Sequence, residues 1–237
     1  MGESFERTVG DIVATDFRAA SVFEQFGIDF CCGGRRSVAE ACRAAEVDPA
    51  VVERALDALP AAQGSEEEDV ASWRVDRLID HILSTHHAYI RSALPTLSSY
   101  LAKLVEVHGQ RHPELSRVAS SVEHLGRELL QHMMKEERVL FPYIRTLATS
   151  NGDTPRSSPF GTVQNPIRMM EREHVEAGEE MNVIRELTNG YTAPADGCTT
   201  YRVAFEELAR FDRDLHRHVH LENNVLFPKA VELERTS

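Results

Sequence analysis

Four stretches of this chain carry apolar residues at alternating steps of three and four, and in each the rhythm is kept by a histidine or a glutamate at an apolar position. The first seam is Leu83, His87, Ile90, Leu94, Leu97, Leu101 and Leu104, and the second is Leu115, Val118, Val122, Leu125, Leu129, His132, Glu136 and Val139. Ile167, Met170, His174, Ala177, Met181 and Ile184 form the third, and Leu208, Phe211, Leu215, His218, Glu222 and Val225 the fourth. This period lines up one face of an α-helix. Four such faces bury themselves best against one another, so the sequence predicts an all-α fold built on a four-helix bundle. Six polar side chains would then point inward, where an uncompensated carboxylate is costly. A bound metal compensates them most directly.

The six are also arranged as a repeat. His87 is followed 45 positions later by His132 and then by Glu136, while His174 is followed 44 positions later by His218 and then by Glu222. Downstream context recurs as well, Leu140-Phe141-Pro142 against Leu226-Phe227-Pro228, so the two halves read as one duplicated helical hairpin. A lone His-x-x-x-Glu means little, and a single histidine on an apolar face is more often a hydrogen-bonded core residue than a ligand. His81, His86, His108, His112, His124 and His216 receive that structural reading. His86 abuts His87, but the seam and the repeat both favour His87. His220 falls two residues off the seam and is expected to face away from the site.

With 237 residues the chain can hold one large bundle and a small extra domain. Its formal charge of −12, from 26 basic and 38 acidic residues, argues against nucleic-acid backbone or an anionic membrane as partner. No stretch has the length of a membrane span, and the first residues lack the basic and apolar regions of a signal peptide. A cytoplasmic protein is expected, with its four cysteines as reduced thiols. The expected division is a helical module at 1–62, a linker at 63–71 containing Gly64 and an acidic run, and the bundle at 72–237. Within the bundle, residues 108–113 form a tight connection with Pro113 opening a helix, 151–162 a long join, and 190–197 the last connection. Pro95, Pro142 and Pro228 are expected to bend or stop their helices, since proline lacks an amide donor.

In the N-terminal module, residues 16–26 place Phe17, Ala20 and Phe23 on one face, and Gly27 is a left-handed stop. Ser37 and Glu40 match a capping box, and Asp48-Pro49 opens a helix running to about Leu59. Between them lies Cys31-Cys32-Gly33-Gly34, adjacent thiols on open backbone followed by Arg35 and Arg36, an environment expected to lower their pKa and leave them accessible. Cys31 and Cys32 are therefore candidate iron-binding or redox thiols, with a structural role equally open, whereas Cys42 and Cys198 read as small apolar groups.

Four segments now carry a family resemblance: Asp29-Phe30-Cys31-Cys32-Gly33-Gly34, His132-Met133-Met134-Lys135-Glu136-Glu137, Glu171-Arg172-Glu173-His174, and His218-Val219-His220-Leu221-Glu222-Asn223-Asn224-Val225-Leu226-Phe227-Pro228. Over nearly its whole length the chain resembles the di-iron proteins of iron-sulfur cluster repair (the RIC family), in which a small domain with adjacent cysteines precedes a hemerythrin-like four-helix bundle. The resemblance implies the iron ligands His87, His132, Glu136, His174, His218 and Glu222, the same six that the seams select. It further implies repair of clusters damaged by nitric oxide or oxidants, with damaged or apo iron-sulfur proteins as partners and nitric oxide or oxygen as small ligands.

Two iron ions with an oxo or hydroxo bridge suit these donors. If Glu136 and Glu222 both bridge, each ion receives two imidazoles and two carboxylate oxygens, the oxo bridge is a fifth ligand, and one position stays open; such a mixed set fits iron or manganese better than tetrahedral zinc. Glu128 and Asp214, each four residues before a ligand histidine, are expected to orient or polarise those imidazoles, and Glu173, beside His174, to mark an entry route for water or protons, unless all three are simply carboxylates on a solvated shoulder. The leading functional reading is an iron donor whose Cys31 and Cys32 accept or reduce iron in transit. The alternative is a nitric oxide reductase at the di-iron centre, and a third reading is a hemerythrin-like sensor or carrier of oxygen or nitric oxide. Nothing in the sequence decides between a single chain and a homodimer.

Overall fold

A computed structural model describes residues 7–59, 70–149 and 160–236. The linker expected at 63–71, but for its last two residues, and most of the join expected at 151–162 lie outside the described residues. The described residues are helical and contain no strand, only an isolated bridge between Thr8 and Ser37. No described helix is long and apolar enough to cross a membrane. The elements are α1 (Val9–Thr15), α2 (Ala19–Gln25), α3 (Val38–Ala44), α4 (Pro49–Asp57), α5 (Val75–His81), α6 (Ala88–His108), α7 (Glu114–Lys135), α8 (Phe141–Thr149), α9 (Gln164–Leu187), α10 (Thr199–His220) and α11 (Phe227–Thr236). Three wide π-helical turns, Ile82–His87, Glu136–Leu140 and Leu221–Leu226, join α5 to α6, α7 to α8 and α10 to α11.

The chain forms two compact units. One draws on residues 80–144 and 164–216 and is a ring of four helices. In it α6 and α7 pack together, α7 packs on α9, Arg185 of α9 reaches Asp212 of α10 at 2.6 Å, and Tyr89 of α6 meets Phe211 of α10 with ring centroids 6.3 Å apart. Leu115, Val118, Val122, Leu125 and Leu129 of α7 are all buried, each contributing roughly 1.5–3 kcal/mol by leaving water. The other unit draws on residues 1–79, 145–163 and 217–237. Its short helices follow their caps: Thr8 Oγ1 accepts the Asp11 amide, Ser37 and Glu40 complete a capping box, and Asp48 accepts the Ala50 amide ahead of Pro49. Gly27 takes a left-handed φ of 66° and ends the turn after α2 as expected.

None of the three prolines stops its helix, and Pro95 lies inside α6. Pro142 and Pro228 neither stop nor replace their helices; each lies in the first turn of a helix that continues, α8 and α11. Just before each, the ladder widens, so that the Phe141 amide donates to the Glu136 carbonyl and the Phe227 amide to the Glu222 carbonyl, five residues back. A turn wide by one residue absorbs the missing donor and advances the helical phase. That shift explains why Val139, expected in the core, is exposed while Leu140 is buried, and why Ile82 is buried where Leu83 is half-buried.

Candidate metal centre

Each wide turn carries one of the inward polar residues at its edge: His87 ends the first, Glu136 begins the second, and Glu222 follows the start of the third. Such turns recur where a helix must aim side chains at a ligand. In the four-helix unit, His87, His132, Glu136 and His174 gather around one point, none more than 3% exposed. His132 and His174 approach through their Nε2 atoms at 3.0 Å, and a Glu136 carboxylate oxygen lies 3.3 Å from His132 Nε2 and 3.4 Å from His87 Nε2. Nitrogen and oxygen atoms at these separations, converging from three helical rods, form the donor pattern of a borderline divalent metal. In the other unit, His218 Nε2 lies 3.1 Å from Glu222 Oε1, and both side chains are completely buried.

The outer nitrogens of two imidazoles are held by carboxylates. His132 Nδ1 donates to Glu173 at 2.8 Å, and Lys135 reaches the other oxygen of Glu173 at 2.5 Å. The hydrogen bond from His132, against the upward pull of burial and helped by Lys135, lowers the Glu173 pKa to about 2. His87 Nδ1 donates to Glu137 at 2.7 Å, and Arg91 donates to the same oxygen. Burial pushes the Glu137 carboxyl upward, but the His87 and Arg91 bonds together outweigh it, and its pKa falls. A carboxylate on Nδ1 leaves Nε2 as the lone-pair nitrogen and aims it inward, which a metal ligand requires.

Glu137 was not among the residues that the sequence singled out. It follows Glu136 and its partner is 50 residues away, so only the matched helix faces reveal the pairing. Asp214 accepts from His86 Nδ1 at 3.0 Å, so the imidazole it holds is the neighbour of His87. Glu128, half exposed, pairs with Arg127 at 3.6 Å and lies on the wall of a cavity of about 280 Å³ that reaches His132 and His174 between α7 and α9.

The N-terminal module differs from the expectation for its thiols. Cys31 is buried and Cys32 half-buried, with their sulfurs 3.9 Å apart. The contact with Cys32, then burial, then the charge of Asp29 push the Cys31 pKa well up instead of down. Asp29 organises the loop: its Oδ1 accepts the amides of Cys31 and Cys32 at 2.9 and 3.0 Å and the Cys31 thiol at 3.2 Å, while Oδ2 accepts the Gly33 amide at 3.0 Å. Asn224, two residues beyond Glu222, fastens the same loop through its amide group, which donates to the Phe30 and Cys31 carbonyls at 3.2 and 3.0 Å. Glycine is required here, because a Cβ on Gly34 would stand 2.5 Å from the Asn224 side chain and from the Phe30 carbonyl. His220, expected to face away from the site, turns into this module. It is fully buried beside Phe17 and Phe30, with Nδ1 3.2 Å from the Asn224 amide, and burial lowers its pKa to about 4.

Comparison with known proteins places both halves. Residues 78–230 match the hemerythrin HHE cation binding domain, and residues 5–60 match a domain of unknown function, ScdA_N (DUF542). The iron-sulfur cluster repair protein YtfE of Dickeya chrysanthemi is 35% identical over 230 residues, covering 97% of this chain and 98% of that protein. The chain belongs to the iron-sulfur cluster repair family. A second YtfE, from Escherichia coli O157:H7, is 35% identical over 95% of this chain and 97% of its own length, and a probable iron-sulfur cluster repair protein of Haemophilus influenzae is 35% identical over 90% and 91%. Membership of this family accords with a hemerythrin-like all-α domain whose buried His and Glu side chains suit a metal, iron in the first place.

Proposed function

We propose that this protein repairs iron-sulfur clusters damaged by nitrosative or oxidative stress by supplying iron held by His87, His132, Glu136, His174, His218 and Glu222. The observation that carries this reading is the buried convergence of three imidazoles and a carboxylate in the four-helix unit, with two of the imidazoles pinned by Glu173 and Glu137. The repeat that relates His87, His132 and Glu136 to His174, His218 and Glu222 supports a single centre using both sets. Four imidazoles and two carboxylates, with Glu136 and Glu222 bridging, supply two nitrogens and two oxygens to each of two iron ions. Bound there, iron would be the cargo, and the chain's own part is to hold neutral imidazoles in position and to keep the donors dry until an acceptor takes the metal.

The division into a 1–62 module, a 63–71 linker and a 72–237 bundle belongs to the same proposal, as do a cytoplasmic location and damaged or apo iron-sulfur proteins as acceptors. The curated relatives are named for cluster repair, which favours donation over nitric oxide reduction as the primary role. The test is transfer. Protein loaded anaerobically with 57Fe is mixed with an apo iron-sulfur protein and inorganic sulfide, and the acceptor is reisolated. Cluster absorbance in the acceptor together with 57Fe supports donation; an acceptor that stays colourless while the label remains on this protein refutes it.

A further inference from the structure

Outside the His and Glu donors lies a second group of metal-ligating side chains. A carboxylate oxygen of Asp29 and the sulfurs of Cys31 and Cys32 all lie within 4.8 Å of one another. We propose that Asp29, Cys31 and Cys32 form an open three-donor site for one borderline divalent cation, and that ferrous iron occupies it in transit. The inference deepens the donor reading and rests on it for the identity of the ion, while the site itself rests on the loop.

Distances favour a shared ion. Two thiolates on one tetrahedral metal, with bonds of about 2.3 Å, hold their sulfurs roughly 3.8 Å apart, and Cys31 and Cys32 already stand at 3.9 Å. A sulfur and a carboxylate oxygen on the same ion would be separated by about 3.6 Å, and Cys31 Sγ to Asp29 Oδ1 is 3.2 Å, so opening by a few tenths of an ångström admits the metal. At present the Cys31 thiol hydrogen fills that gap by donating to Oδ1. On binding, the cation takes its place: two S–H bonds break, two metal–sulfur bonds form, and both protons go to solvent with no change of oxidation state.

The loop is built in advance for this. Asp29 is fixed by three backbone amides, so its carboxylate does not have to be ordered on binding. Asn224 and the close approach of Gly34 hold the backbone beneath the thiols. Two sulfurs and one oxygen select a borderline cation over calcium or magnesium. Three protein donors leave a fourth position, and half-buried Cys32 and exposed Asp29 give it access to solvent. A closed four-donor site retains its metal, whereas an open one exchanges it, as transfer requires.

The test is an anaerobic cobalt(II) titration of the reduced full-length protein, reading the sulfur-to-cobalt charge-transfer absorption, to which imidazole and carboxylate ligands do not contribute. The expected result is saturation at one thiolate-bound cobalt per chain, loss of the band in Cys32→Ser, and its retention in Cys198→Ser. Asp29→Asn keeps an oxygen for the Cys31 and Cys32 amides but removes the charge and the acceptor of the Gly33 amide, and is expected to raise the cobalt dissociation constant at least tenfold with the helical circular dichroism signal unchanged. A wild-type readout needing no variant is the 113Cd resonance of the cadmium-loaded chain, expected between the all-nitrogen/oxygen and the three- or four-thiolate ranges. Absence of the charge-transfer band in the wild type, a cadmium signal confined to the nitrogen/oxygen range, or equal affinity in Asp29→Asn overturns the site. Failure here leaves donation by the histidine and glutamate donors standing, whereas failure of 57Fe transfer leaves the cobalt result untouched.

Discussion

Glu136→Gln should change the stability of this protein in opposite directions with and without metal. The carboxylate is fully buried, and its oxygen stands 3.4 and 3.3 Å from the Nε2 atoms of His87 and His132, positions that a cation between them would justify. Without that cation a buried carboxylate oxygen faces the Nε2 lone pairs of two imidazoles whose Nδ1 protons are committed to Glu137 and Glu173, and Gln exchanges that contact for one with an N–H donor, a gain of about 1–3 kcal/mol. Gln keeps shape and polarity, so the lower part of that range applies, roughly 1–2 kcal/mol, or a rise of about 2–8 °C in the melting midpoint for a chain of this size. With metal present the variant loses a ligand; when free metal is well above the dissociation constant, each hundredfold loss of affinity removes about 2.7 kcal/mol of linked stabilisation. Thermal melts followed at 222 nm, on chelator-stripped and on anaerobically iron-loaded protein, read both signs in one experiment. A metal-free Glu136→Gln that melts below the metal-free parent would refute the reasoning, because it would mean that the contacts between the carboxylate and the two imidazoles are favourable without metal.

Removing the carboxylates behind the imidazoles should act more gently. Glu173→Ala and Glu137→Ala are each expected to weaken iron binding by about 10–100-fold while leaving helicity intact; competition with a chromophoric chelator measures this, and unchanged affinity in both would show that the Nδ1 bonds do not tune the site. Acid should destabilise the metal-free protein through His220. Its folded pKa, lowered to about 4, lies below the ordinary value, so the stability it confers is complete above about pH 6.5 and is lost as pH falls toward 4, on the order of 3 kcal/mol in all. Chemical denaturation across that window, compared with His220→Phe, checks this, and an equally steep pH dependence in the variant would contradict it. Gly34→Ala should displace the cysteine loop, since the new methyl meets the Asn224 side chain and the Phe30 carbonyl at 2.5 Å; a cost of about 1–3 kcal/mol is expected, and a variant as stable as the parent would mean that the loop moves freely.

The helical seams were legible because period is a local property: of the seam positions on α7 and α9, those from Leu115 to Glu136 and from Ile167 to Ile184 are all buried. All six inward polar residues could be picked from the same rhythm, reinforced by the repeat. Wide turns broke the reading at Leu83 and Val139, since a one-residue change of phase leaves no mark in a hydrophobic pattern; Pro142, two residues past the second turn, is a cue that the first turn lacks. Partners that cross between helices were also hidden. Glu137, which no seam singles out, is the carboxylate behind His87, and His220, expected to face away from the six donors, is a buried contact of Phe17 and Phe30. The thiol environment was misjudged for a related reason. Arg35 and Arg36 are close to the thiols in sequence, but the second sulfur, burial and Asp29 govern the Cys31 pKa.

The central claim is a dinuclear centre made by four histidines and two glutamates. Protein loaded anaerobically with 57Fe, stripped of loosely held metal, then oxidised and measured by metal analysis and low-temperature Mössbauer spectroscopy tests it most directly. Two irons per chain forming a magnetically coupled pair, both lost in Glu136→Leu and Glu222→Leu, is the predicted result. A single uncoupled iron, or two irons that survive both substitutions, would contradict the assignment.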